Sequence, residues 1–123
     1  MKYIILIAFC ILAIKLSSCR HRHHDIRISV NESGNIYRFT ASFPEDKTRR
    51  VERLINRSLS LNSFFGNPDD YVDATTILDD QTKVSIKASP GDLRIQLDRD
   101  ENSEASYHRI KDMCEEIKNE LKK

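Results

Sequence analysis

The chain has 123 residues, with 20 Lys+Arg against 19 Asp+Glu, 39% hydrophobic residues and 32% charged ones. That length allows one domain and hardly two, and the composition argues against a disordered chain. A formal net charge of +1 argues against a nucleic-acid binder that relies on a strongly basic surface.

Met1 and Lys2 form a short basic start, and Tyr3 to Ile14 follow as an almost unbroken apolar run. The run is too short for a ~30 Å hydrocarbon core, which needs about 20 residues. It has the size and flank of the apolar region of a signal peptide. Leu16-Ser17-Ser18-Cys19 then resembles the lipobox of bacterial lipoproteins, in which an aliphatic residue and two small residues precede the Cys. The resemblance covers residues 1–19 only. It implies cleavage between Ser18 and Cys19 and a diacylglycerol thioether on Cys19, which would anchor the chain to a membrane. An ordinary cleaved signal without lipid is the alternative. Removing residues 1–18 takes away Lys2 and Lys15, which leaves 105 residues with 18 basic and 19 acidic groups. Cys10 would leave with the signal and Cys19 would carry lipid. Cys114 is then the one remaining thiol, so the domain is expected to hold together by its core and not by a disulfide.

Residues 19–25 read as a tether, Cys-Arg-His-Arg-His-His-Asp. Arg20 and Arg22 suit a solvated spacer beside anionic head groups. The three histidines form a tract without fixed geometry, so no metal site is expected there. The tether is basic and begins with Arg20. It has neither the acidic stretch that marks surface export of some lipoproteins nor the Asp that marks inner-membrane retention. The expected location is the outer membrane, facing the periplasm.

Residues 26–123 read as a single domain. Ile26, Ile28 and Val30 alternate with polar residues, as a first strand with one buried face does. Asn31 to Asn35 contains Gly34 and reads as a turn. Tyr37, Phe39, Ala41 and Phe43 make a second strand, which Pro44 stops. Glu45, Asp46 and Lys47 begin a helix whose buried stripe is Val51, Leu54, Ile55 and Leu59. Phe64 and Phe65 are expected to plug the end of the core. Gly66 is a candidate helix stop, and Asn67 to Asp70 form a loop.

Tyr71 to Leu78 is a third strand, and Asp79 to Thr82 its hairpin turn. Val84, Ile86 and Ala88 mark the fourth strand, and Leu93, Ile95 and Leu97 the fifth. Between them Pro90-Gly91 suits the two central positions of a type II turn. A long helix runs from about Ser103 to Leu121, with Asn102 or Ser103 as its cap and Tyr107, Ile110, Met113, Cys114, Ile117 and Leu121 on one face. The order ββαβββα with one-sided strands predicts an α+β domain of two layers. An antiparallel five-stranded sheet carries two helices on one face.

No catalytic set emerges, and no cofactor motif is present. Gly34, Gly66 and Gly91 are single turn residues, with no phosphate loop among them. His108 reads as a helix-flank residue and Cys114 as a small core residue. Asp98, Asp100, Asn102 and Glu104 alternate like the start of a calcium loop, but Ser103 and Arg109 stand where Gly and Glu are required. They read instead as a strand-to-helix turn with capping groups.

Two charge clusters remain. Arg49, Arg50, Arg53 and Arg57 make the first helix basic, and Asp69, Asp70, Asp79 and Asp80 make the following loop and hairpin acidic. These are the candidate partner-binding residues, since charge of one sign on one face steers association. The leading reading is a lipid-anchored envelope protein that binds another protein or an envelope polymer and performs no catalysis. One alternative is an immunity protein that neutralises a toxin acting in the periplasm. Another is an enzyme or ligand carrier with a pocket between sheet and helices, lined by Tyr37, Tyr71, Tyr107 and His108.

Overall fold

A computed structural model describes residues 25–61, 64–65 and 71–123. The signal segment, Cys19, the His tract, Gly66, Asp69 and Asp70 lie outside the described residues.

The strands are β1 (Arg27–Ser33), β2 (Ile36–Ser42), β3 (Val72–Ile77), β4 (Lys83–Ser89) and β5 (Asp92–Asp98). The helices are α1 (Thr48–Ser58) and α2 (Glu104–Leu121). The sheet order is β1-β2-β5-β4-β3, with every neighbouring pair antiparallel. The chain therefore makes one hairpin, crosses by α1 to the far edge, and returns as a meander that seats β5 against β2. The architecture is the expected two-layer α+β domain with the expected element order.

Alternation along the strands decides which layer is covered. Tyr37, Phe39 and Ala41 of β2, Val84, Ile86 and Ala88 of β4, and Leu93, Ile95 and Leu97 of β5 are each 5% exposed or less. They join Val51, Leu54 and Ile55 of α1 and Ile110, Met113, Cys114 and Ile117 of α2 in one core. Both helices thus sit on the same face of the sheet. Ile55, Ile110 and Ile117 are wholly buried, and each such side chain contributes about 1.5–3 kcal/mol.

The two helices are tied at one end. Lys47 Nζ donates to the carbonyl of Leu121 at 3.1 Å, where the α2 dipole is negative. Arg50 Nε lies 3.6 Å from Glu120 Oε1.

Four expectations about the elements need correction. The residues Glu45–Lys47 form a 3-10 turn, and the α-helix begins only at Thr48. Helix α1 stops at Ser58, well before Gly66, and Ser60 takes the left-handed φ of 54° that ends it. Strand β1 continues to Ser33, so the turn narrows to Gly34-Asn35. Finally, β1 has no fully buried face: Ile28 is half-buried and Val30 is 47% exposed. These residues do point to the core layer, opposite Ala41 and Phe39. The edge strand simply lies where the helices cover it least.

Two connections pin the sheet to the helices. Gly91, at φ 79°, ends the β4–β5 turn; its N–H donates to Thr48 Oγ1 at 3.0 Å and its carbonyl accepts from Phe43 N at 2.9 Å. At the other end Asn102 holds β4 through two hydrogen bonds with the backbone of Lys83, at 2.8 and 3.1 Å. Phe65 is buried as expected, and Phe64 packs edge-on to it with ring centroids 5.0 Å apart.

Candidate binding surface

Among the described residues, no helix lies on the second face of the sheet. Strand register assembles this face in rows. Arg27, Ser42, Asp92 and Ser89 are neighbours in one row across β1-β2-β5-β4. Ser29, Thr40, Arg94 and Lys87 are neighbours in the next. Tyr71, just before β3, stands at the side of the two rows and is 61% exposed. Together these residues line a basin of about 380 Å³. Its floor is small and hydroxyl-bearing, with Ser29, Thr40 and Ser42 side by side over β1 and β2.

The electrostatics of the basin are unusual for a sheet. Arg94 and Lys87 stand directly opposite each other on adjacent strands. Like charges in that position repel and reduce stability. None of the ion pairs among the described residues involves Arg27, Lys87, Arg94 or Asp92. Asp73 faces Lys87 from β3, but it makes no ion pair with it. Lys87 instead lies 6.0 Å from the ring centroid of Tyr71, at the limit of a cation–π contact. The basin therefore gathers three cations against one carboxylate, with an aromatic ring at the rim. Its cations and hydroxyls are suited to holding an anion.

The charge clusters singled out from sequence are used differently. Arg49, Arg53 and Arg57 are exposed along α1. Arg50, Arg53 and Arg57 border a cleft of about 250 Å³ that also contains Glu120. The hydrogen bond from Lys123 holds the Glu120 carboxyl below its ordinary range, and Arg50 and Arg57 add to that. Part of the basic cluster is thus answered within the molecule.

Asp79 and Asp80 build the β3–β4 turn. Asp80 Oδ1 accepts from Thr82 N at 3.0 Å, and Arg109 Nη1 lies 2.7 Å from Asp80 Oδ2. The hydrogen bonds from Thr82, with Arg109, hold the Asp80 carboxyl below its usual range. These two acids clamp the turn to α2 and do not form a free acidic patch. Asp69 and Asp70 are outside the described residues.

The four residues expected to line an inner pocket are not brought together. Tyr37 and Tyr107 are core residues, in edge-to-face contact at 5.8 Å between ring centroids. His108 is on the surface, with Nε2 3.9 Å from Glu104 Oε2, and Tyr71 is on the open sheet face. The gap between α1 and the sheet, beside Phe43 and Thr48, is only about 10 Å³. The calcium-like alternation serves the turn before α2. Asp98 caps Asp100 N at 2.9 Å, Asn102 bonds to Lys83 and Asp98, and Glu104 pairs with Arg99 at 2.9 Å. Cys114 is buried on the apolar stripe of α2, and burial pushes its thiol up to about 12.

Sequence reasoning missed the basin. Arg27, Thr40, Lys87 and Arg94 belong to four different strands. Each appears in the sequence as the polar partner in an alternation; the hairpins set β1 beside β2 and Lys87 opposite Arg94, and the β2–β5 pairing joins the two halves. Arg99 lies over the Tyr107 ring, 3.9 Å from its centroid, and the Tyr107 hydroxyl donates to Glu32 of β1.

In comparisons with known proteins, no family model, no curated protein and no solved structure matches the chain.

Proposed function

We propose that this chain is a lipid-anchored envelope protein that acts by binding, without catalysis, and that the open face of its sheet is the working surface. The observation that carries this reading is the pair of like charges, Arg94 opposite Lys87, in a basin with no ion pair to answer them among the described residues. A charge arrangement that opposes folding is expected where a ligand supplies the missing anion. The anchor rests on Leu16-Ser17-Ser18-Cys19 and its resemblance to a lipobox. Cys19 would hold the domain to the outer membrane on the periplasmic side. The partner is an envelope protein or an envelope polymer.

Two measurements test the reading. Cells treated with an inhibitor of lipoprotein signal peptidase are expected to accumulate the unprocessed chain, and Cys19→Ser to release the protein from the membrane fraction. Unchanged processing and unchanged membrane association would remove the anchor. Cross-linking from a photoreactive residue placed at Thr40 is expected to capture an envelope component. The same residue placed at the exposed Arg49 is expected to capture less, and the reverse ranking would move the working surface to α1.

A further inference from the structure

We infer that the basin on the open sheet face is a binding site for an acidic saccharide. The inference deepens the proposed function and rests on its choice of working surface. Three features of the basin point to this ligand and away from a protein partner.

The first is the floor. Ser29, Thr40 and Ser42 present short hydroxyls at strand spacing, which suits a chain whose own groups are hydroxyls. The second is the rim. Tyr71 is 61% exposed and is the one aromatic ring lining the basin among the described residues, a flat surface on which a sugar ring can lie. The apolar anchor pocket that typically centres a protein–protein hot spot is missing, because the Leu93 and Ala41 side chains turn to the core. The third is the charge. Arg27, Arg94 and Lys87 surround the hydroxyl floor, and the guanidinium forks match carboxylate or phosphate groups. Asp92 supplies an acceptor for a sugar hydroxyl in the same basin. A neutral sugar would leave the Arg94–Lys87 repulsion in place. A sugar that carries an anion between them would remove it.

Isothermal titration of the full chain in a non-ionic polyoxyethylene detergent tests this. Oligogalacturonate supplies carboxylates, phosphorylated dextran supplies phosphates, polyglutamate supplies charge without sugar, and plain dextran supplies sugar without charge. Binding of oligogalacturonate or phosphorylated dextran is expected, at least about tenfold tighter than polyglutamate of equal charge, and weakening as salt rises. Arg94→Gln is expected to weaken it about tenfold or more while leaving the protein more stable to urea, because the repulsion is gone. Tyr71→Ala should lower affinity for the saccharide and leave that for polyglutamate unchanged. Polyglutamate binding as tightly as either acidic saccharide, equal binding of plain dextran, or no binding of either acidic saccharide at low salt would overturn the inference. A loss of stability in Arg94→Gln would equally overturn it, since the arginine would then be structural. If the acidic saccharides fail and cross-linking at Thr40 still captures an envelope component, the saccharide falls and the binding reading stands.

Discussion

Gly91 is held at φ 79°, and a Cβ built there would stand 2.7 Å from the carbonyl oxygen of Phe43. That oxygen belongs to the backbone and cannot swing away. Both the conformation and the contact oppose any other residue. Gly91→Ala is expected to cost at least about 1–3 kcal/mol, read as a lower midpoint of urea unfolding. The Pro90-Gly91 pair announced a turn in the sequence; the approach of Phe43 was not announced, because Phe43 follows β2, far earlier in the chain, and reaches Gly91 only through the β2–β5 pairing. Cys114 makes a second case. Its thiol, ordinarily near 9.0, is pushed up to about 12 by burial. The folded protein then keeps a proton that the unfolded chain loses, so the stability tied to this group is intact below pH 9 and falls as pH rises from about 9 to 12. Burial raises the Tyr37 phenol as well, which extends the loss above pH 10. Unfolding measured at pH 7 and about pH 10 should show lower stability at the higher value, with a smaller drop for Cys114→Ala.

The elements show where local signals were sufficient. The cap of α2 is Ser103, whose Oγ accepts from Ser106 N at 3.1 Å, and acidic Glu104 occupies its first turn. Ser103→Ala is expected to cost about 0.5–2 kcal/mol, read by thermal or urea unfolding. The same serine is the exposed end of a chain of hydroxyls that runs inward: Thr82 Oγ1 donates to Ser106 Oγ at 2.7 Å, and Ser103 Oγ reaches Ser106 Oγ at 3.0 Å. The cap was legible because it follows from a serine before an amphipathic run. Thr82, wholly buried, was not legible, because its partner lies 24 residues away. The end of α1 was misread for a related reason. A glycine at 66 looked like the stop, yet Ser60 adopts the left-handed conformation at a site chosen by packing, once Leu59 is buried.

At the scale of the whole molecule, both helices cover one face of the sheet, and among the described residues no element covers the other. Opposed like charges there are expected to cost about 0.2–1 kcal/mol, which is the gain expected for Arg94→Gln in the urea experiment above. The basic face of α1 and the acid turn at Asp79-Asp80 are the charges a linear reading notices, since they are close in sequence. The turn acids are tied to Arg109, and Arg50 is tied to Glu120. Among the described residues, the basin cations without an ion pair come instead from β1, β4 and β5.

The alternation of Tyr37, Phe39 and Ala41, and of Leu93, Ile95 and Leu97, was sufficient to decide the strands, their inner faces and the α+β class, because burial with a period of two leaves a mark on neighbouring residues. The helical stripe from Tyr107 to Leu121 did the same for α2. The strand order decided what the sequence could not. It set β5 beside β2, and so placed Arg94 of the β4–β5 hairpin beside Thr40. It also left β1 at an edge, where Val30 stays half in solvent. Periodicity records which way a side chain points, and a tight turn sets its partner within a hairpin; pairing between strands distant in sequence determines which other side chains it meets.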